Sequence, residues 1–163
     1  MRKIMIVDDN YLSAEGIEKN IDWEVLNAEI VHICYNGTSA IDAMKKKPVD
    51  LIISDIEMPD LDGISMSRQA LDINPMVKII LISAYDKFEY ARRALLLGAL
   101  DYIEKPLDYA YLIQKVKNAF ALMEREQKNL QLLKQSRPLL IEKFSVISLT
   151  VPGRRLPIVS NLI

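Results

Sequence analysis

Cysteine, histidine and tryptophan each occur once in this chain, and only five of its 163 residues are glycine. The single thiol, Cys34, has no internal disulfide partner, and its place in an apolar run gives it a core role in a reducing compartment. A reactive thiol needs a basic neighbour, and no Cys/His dyad is visible. With one histidine, His32, the chain offers none of the His/Cys sets that zinc favours. Long apolar runs are missing too. The stretch 77–84 is interrupted by Lys78 and falls well short of the ~20 residues a membrane span needs, while residues 1–10 have no signal-peptide h-region. Charge of one sign is also absent: 21 Lys and Arg against 22 Asp and Glu leave a formal net charge of −1. That balance supplies no basic footprint for nucleic acid or for an anionic membrane. The expectation is a soluble, cytoplasmic protein whose charge chemistry is local.

What is present is an alternation of patterns. Half of the residues are hydrophobic, enough for one domain with a sizeable core plus an appendage, but the length is too short for two full domains. Short β-branched runs at 3–7, 29–34, 49–54, 77–83 and 100–103 alternate with amphipathic segments, as βα units around a parallel sheet do. Three of the runs are almost continuously apolar, which suits strands covered on both faces. Helix starts are marked by Asn36-Gly37-Thr38-Ser39, by Asp62-Gly63, and by Asp86 with Glu89 in a capping-box arrangement. Five strands and five helices fill residues 1 to about 122 as an α/β, doubly wound domain. From Asp108 to about Gln135 no Gly or Pro interrupts a helical sequence, so an extended C-terminal helix is expected, with 123–137 as a helical linker. Val116, Met123 and Leu130 recur every seven residues and Ala119 and Leu133 fall at offset positions, a seam that suits a coiled coil except at Glu126. Residues 138–163 carry Pro138, Pro152 and Pro157 and match no pattern.

In an open parallel sheet, ligands bind outside the carboxyl ends of the strands, where the strand order reverses. The first expected strand runs into Asp8 and Asp9, the third into Asp55, the fourth into Ser83, and the fifth into Lys105-Pro106. Taken singly, each has an ordinary reading: Asp9 or Asn10 caps the first helix, Ser83 is a turn residue, Lys105 a solvated charge. Agreement at four strand ends favours a site. Clustered carboxylates raise one another's pKa unless a cation joins them, which implies a hard divalent ion. Mg²⁺ fits, since it keeps several waters and needs only one or two carboxylates, a carbonyl and a phosphoryl oxygen. Asp55 then acts as a nucleophile toward phosphorus while Lys105 neutralises charge on the equatorial oxygens.

The residues Asp8-Asp9, Asp55-Ile56-Glu57-Met58-Pro59-Asp60-Leu61-Asp62-Gly63, Ser83-Ala84 and Lys105-Pro106 resemble the response-regulator receiver family. The resemblance covers about residues 1–122. It implies a flavodoxin-like (βα)5 fold with strand order 2-1-3-4-5. It implies that Asp8, Asp9, Asp55 and the backbone carbonyl of Glu57 bind Mg²⁺, and that Asp55 takes a phosphoryl group from a sensor histidine kinase. Ser83 would bond one phosphoryl oxygen, Lys105 would pair with another, and Tyr102 would turn inward on activation. The Lys105–Pro106 peptide is expected to be cis, a form that X-Pro makes cheap. Such a domain is a signalling switch, not an enzyme, and promotes only its own phosphorylation and dephosphorylation. Ile21-Asp22-Trp23 and the stretch from Ser83-Ala84-Tyr85-Asp86 to Ala91 resemble receivers joined to AraC-type DNA-binding domains, and Ser136-Arg137-Pro138-Leu139-Leu140 resembles their linker. Those regulators continue into two helix-turn-helix motifs. Residues 151–163 resemble nothing of that kind, so no DNA binding is expected from this chain. Tyr111 stands where an acidic residue would complete a capping box with Asp108.

Other readings compete for some of these residues. His32 is expected to pack on an outer strand, since a phosphodonor histidine would accompany an ATP-binding domain. Asp55-Ile56-Glu57 invites comparison with dehalogenase-like phosphatases, which carry a second aspartate there and place the pair after their first strand. A flavin mononucleotide module needs a Ser/Thr/Gly-rich loop after strand one, where Asp8-Asp9-Asn10 would repel phosphate. Lys45-Lys46-Lys47 closes a helix, where cations suit the dipole. In the helix opened by Asp86, the residues Phe88, Ala91, Leu95 and Gly98 form one apolar face and Tyr90, Ala94 and Leu97 a second. The second face motivates a homodimer through the fourth helix, fifth strand and fifth helix.

Overall fold

The computed structural model describes residues 1–84, 92, 96 and 98–149, with side chains as far as residue 135. Strands β1 (Arg2–Val7), β2 (Ala28–Cys34), β3 (Leu51–Asp55), β4 (Lys78–Ser83) and β5 (Asp101–Glu104) alternate with helices α1 (Tyr11–Asn20), α2 (Gly37–Lys46) and α3 (Gly63–Ile73), and a C-terminal helix spans Tyr109–Leu149. The sheet is parallel throughout, in the order β2-β1-β3-β4-β5. The centre is held by β1, β3 and β4, whose apolar runs are buried on both faces. Alternation sends Met5, Val7, Ile52, Ile79 and Leu81 into one core with Ile41 and Met44 of α2 and Met66 and Ala70 of α3. Ile4, Ile6, Ile53, Ile80 and Ile82 point the other way, toward the face of α1 and the C-terminal helix, where Ile17, Leu112 and Val116 are also buried. Each fully buried Ile contributes about 1.5–3 kcal/mol, so this two-sided packing fixes the register.

The helices start where side chains satisfy their first N–H groups. Asn10 accepts from Leu12 N and Ser13 N, Asn36 from Ser39 N, Asp62 from Ile64 N and Ser65 N, and Asp108 from Ala110 N and Tyr111 N. The Asp108 cap therefore forms without an acidic residue at Tyr111. On the outer strand β2, Ile30 pairs with Ile4 and His32 with Met5, which leaves Val31 as the extra residue of a bulge. Such a bulge blunts an exposed edge.

The helix that Asp108 caps reaches Leu149, beyond the expected end near Gln135 and past Pro138. Proline removes one intrahelical hydrogen bond, but no further Gly or Pro follows before Pro152, so the remaining residues keep theirs. The chain divides into two compact units, Met1–Ala121 and Leu122–Ile163. Of the stretch opened by Asp86, residues 85–91, 93–95 and 97 lie outside the described residues, and so do both of its apolar faces apart from Gly98.

Candidate functional site

The carboxyl ends of β1, β3 and β5 bring Asp8, Asp55 and Lys105 together. The Lys105 ammonium donates to Asp55 Oδ1 at 2.6 Å and to Asp8 Oδ2 at 3.1 Å. Both carboxylates are buried, and each is also held by the backbone. Asn10 N donates to Asp8 Oδ1 at 2.9 Å, and Glu57 N to Asp55 Oδ2 at 2.8 Å. The second contact depends on a tight exit from β3. Ile56 N still bonds Ile82 O of β4, after which Met58 N and Gly63 N both return to Ile56 O and Asp60 takes a positive φ of 66°. Gly63 is required at this approach, because a Cβ there would lie 2.1 Å from Asp55 O.

Burial pushes the Asp55 carboxyl above the usual carboxylate range, and the Asp8 charge adds to the shift; Lys105 and the Glu57 N–H oppose it without cancelling it. Lys105 is pulled down by burial but raised further by Asp55 and then Asp8, so its ammonium holds its proton more firmly than usual. A lone ion pair would raise the base and lower the acid. Here the acid also rises, because its burial, with a smaller contribution from the Asp8 charge, outweighs the help it receives from Lys105. A cavity of about 340 Å³ between α1 and the loop after β5 counts Asp8 and Lys105 among its lining residues.

The other expected site residues fall around this centre. Asp9 is exposed at the rim and Glu57 is half-buried. Ser83 is fully buried as the last residue of β4, and its carbonyl accepts from Lys105 N at 2.8 Å. Tyr102 is half-buried on β5 and packs against the core. The Lys105–Pro106 peptide is cis. His32 lies on β2 with its Nε2 3.0 Å from Lys47 O, away from the strand ends, and Cys34 is buried. Lys45 reaches Asp42 at 3.8 Å within the last turns of α2. One residue escaped the sequence reading. Ser54, fully buried, donates from Oγ to Asp55 O at 2.8 Å, and its only signal was a hydroxyl between the apolar run Leu51-Ile52-Ile53 and Asp55.

The donor set suits a hard cation. Asp8, Asp9 and Asp55 provide carboxylate oxygens, and the half-buried Glu57 lies two residues beyond Asp55. Among the described residues no group of three or more His, Cys, Asp or Glu side chains is gathered closely enough to hold a metal ion. Mg²⁺ needs only one or two carboxylates, with backbone oxygen and water completing its shell.

Comparison with known proteins agrees with this geometry. The family model for the response regulator receiver domain matches residues 4–117. The uncharacterized transcriptional regulatory protein YesN of Bacillus subtilis is 29% identical over 126 residues, which cover 77% of this chain and 34% of the relative. The chain thus spans about a third of that relative's length. Among solved structures, the REC domain of AraT, a response regulator from Geobacillus stearothermophilus, is 34% identical with a TM-score of 0.73, covering 77% of this chain and 98% of that one. A chain of the CheX–CheY–BeF3–Mg²⁺ complex from Borrelia burgdorferi is 27% identical with a TM-score of 0.67, covering 73% of this chain and 89% of that one. Receiver domains as a class use Mg²⁺ and accept phosphoryl groups from histidine kinases. By sequence, by strand order and by the acidic cluster at its strand ends, the chain belongs to the response regulator receiver family.

Proposed function

We propose that Asp55 accepts a phosphoryl group from the phosphohistidine of a sensor kinase in a Mg²⁺-dependent reaction, and that residues 1–122 are the receiver of a transcriptional response regulator with 123–137 as its linker. The observation that carries this reading is the Lys105 ammonium lying on both Asp55 and Asp8 at the sheet's carboxyl edge. An Asp55 carboxylate oxygen attacks phosphorus as the donor's P–N bond breaks, and the imidazole nitrogen keeps the electron pair and takes a proton from solvent. Lys105 and the Glu57 N–H orient the carboxylate from its two oxygens. Lys105 then stays beside the phosphoryl group as its counter-charge. Asp8, Asp9, Asp55 and the Glu57 carbonyl would hold Mg²⁺, which when bound would neutralise charge on the phosphoryl oxygens.

The switch follows from the neighbours. The Ser83 hydroxyl bonds a phosphoryl oxygen, and Tyr102 takes up space that Ser83 vacates. Ser83 pairs with Glu104 in the β4–β5 ladder, so its movement acts directly on the strand carrying Tyr102. The readout is a homodimer through the segment opened by Asp86, β5 and the C-terminal helix. This chain turns over no external substrate, does not by itself bind DNA specifically, and works in the cytoplasm. No helix among the described residues is long and apolar enough to cross a membrane.

The test is intact mass after treatment with phosphoramidate or acetyl phosphate and Mg²⁺. One phosphoryl group per chain is expected, lost in Asp55→Asn. Undiminished labelling of the Asn variant removes Asp55 from the role. Hydrolysis of many equivalents of a phosphoester would favour a phosphatase instead.

A further inference from the structure

Ser54 is a hydroxyl where the rest of the strand interior is aliphatic, and it is wholly buried. Burying a hydroxyl is costly unless it is hydrogen-bonded, and here the partner is the carbonyl of the next residue, Asp55, at 2.8 Å. The ladder leaves that carbonyl in need of a donor. With Ile56 N turned to Ile82 O of β4, strand alternation leaves the Asp55 carbonyl for the β1 side. Pairing of β1 with β3 stops one residue earlier, at Val7 and Ser54.

Gly63 closes the other side of the same group. A Cβ on Gly63 would stand 2.1 Å from Asp55 O and 2.9 Å from Ile56 Cα, and Gly63 N donates to Ile56 O at 2.9 Å. Gly63 is itself anchored. Its carbonyl accepts from Ser67 Oγ at 2.6 Å, and Asp62 beside it caps α3. The peptide between Asp55 and Ile56 is therefore held between a hydroxyl and a backbone wall. Its orientation sets the chain leading to Glu57, whose N–H bonds Asp55 Oδ2.

We propose that Ser54 is a positioning residue for the phosphoacceptor: its hydroxyl pins the Asp55–Ile56 peptide against the start of α3 and so aims the Asp55 carboxylate between Lys105 and the Glu57 N–H. The inference rests on Asp55 being the phosphoacceptor. A misplacement of about 1 Å in a reacting group costs roughly a hundredfold in rate. Because Gly63 still confines the peptide when the hydroxyl is removed, a loss of about tenfold is expected in Ser54→Ala.

The full chain and its Ser54→Ala and Ser54→Thr variants are labelled with phosphoramidate and Mg²⁺ across a donor series and followed by intact mass. Ser54→Ala is expected to lower the rate at saturating donor while leaving the half-saturating concentration unchanged. Ser54→Thr, which keeps the hydroxyl on a β-branched residue, restores the rate. Without donor, the Glu57 amide resonance moves in Ser54→Ala and stays in Ser54→Thr, a signature that a hydroxyl serving only stability would not give. Wild-type rate with an unmoved Glu57 resonance in Ser54→Ala overturns the proposal, and so does a folded Ser54→Thr as slow as Ser54→Ala. If Ser54→Ala does not fold, Ser54→Cys, similar in shape but a weak donor, is read by the same criteria. Unlabelled wild type overturns the phosphoacceptor reading and this proposal with it. Labelled wild type with an indifferent Ser54 variant overturns this proposal alone.

Discussion

Replacing Lys105 with Met keeps much of the aliphatic stem and removes the ammonium that two buried carboxylates share. Asp8 and Asp55 have side chains only 2% and 5% exposed, and the Lys105 nitrogen lies 3.1 Å and 2.6 Å from their oxygens. Breaking a buried pair by removing one partner costs about 3–5 kcal/mol, because the remaining charge is left uncompensated. Two considerations favour the lower end. The lysine side chain is 26% exposed, so water already screens the ammonium, and Asp55 holds its proton more tightly than an ordinary carboxyl. The expected loss is about 3 kcal/mol. In urea denaturation with a chelator present, that loss lowers the midpoint by about 1–3 M at unchanged slope. Added Mg²⁺ is expected to return part of it, since a cation among the carboxylates replaces the missing charge. Equal stability of variant and wild type in chelator would show that the carboxylates do not depend on Lys105 and would refute the reasoning.

Gly63→Ala places a Cβ 2.1 Å from Asp55 O, short of the 3.4 Å where ordinary contact begins by 3.4 − 2.1 = 1.3 Å, and backbone must yield. A loss of about 1–3 kcal/mol is expected in thermal melts, together with slower labelling of Asp55; an unchanged melt would contradict so close an approach. Cys34 is buried, and burial pushes its thiol up, so a thiol reagent at pH 8 should modify native protein at least roughly tenfold more slowly than urea-unfolded protein. Comparable rates would place the thiol at the surface. Lys115 bonds Asp101 at 2.7 Å, and that bond, with contacts to Tyr111, raises its pKa. A raised base contributes stability below its unfolded pKa of about 10.4 and loses it as pH climbs through the folded value. Lys115→Met should therefore cost less than about 1 kcal/mol, evenly from pH 6 to 9, with the gap closing above pH ~10; a gap that widens there would reverse the sign.

The sheet was legible because its central strands are written as apolar runs. Burial of β1, β3 and β4 on both faces leaves little choice of residue, and Asn36 and Asp62 stand where helix starts need acceptors. The acidic cluster was legible for a related reason: its members end those strands. Which of Asp9 and Asn10 caps the first helix was not, since both have the chemistry. The turn out of β1 decides it, giving the cap to Asn10, burying Asp8 and leaving Asp9 outside. Ser54 could not be read because its importance depends on where β1 stops pairing, a tertiary fact with no local mark. The run of helix past Pro138 fails for the opposite reason. A local rule expects a break, yet one lost hydrogen bond does not end a segment whose other residues favour helix.

The three groups of the site do not rest on equal supports. Asp8 and Asp55 end adjacent central strands packed on both faces, so their positions are set by the core. Lys105 follows β5, a four-residue edge strand in which only Ile103 is fully buried. It reaches Asp8 across 97 residues of sequence, and its backbone is tied to the inner sheet through Ser83 O. Moving the carboxylates would disturb the densest packing in the domain, whereas moving Lys105 shifts a short edge and the start of the helix that Asp108 caps. A change of charge at Asp55 therefore finds its least costly response at β5, which also carries Tyr102. The bias required is small, since about 1.4 kcal/mol of differential interaction already changes a two-state ratio tenfold. The strand order alone sets this division: order 2-1-3-4-5 places the acidic strands inside and the lysine-bearing strand at the edge, so the proposed nucleophile is held by the core and its counter-charge by the margin.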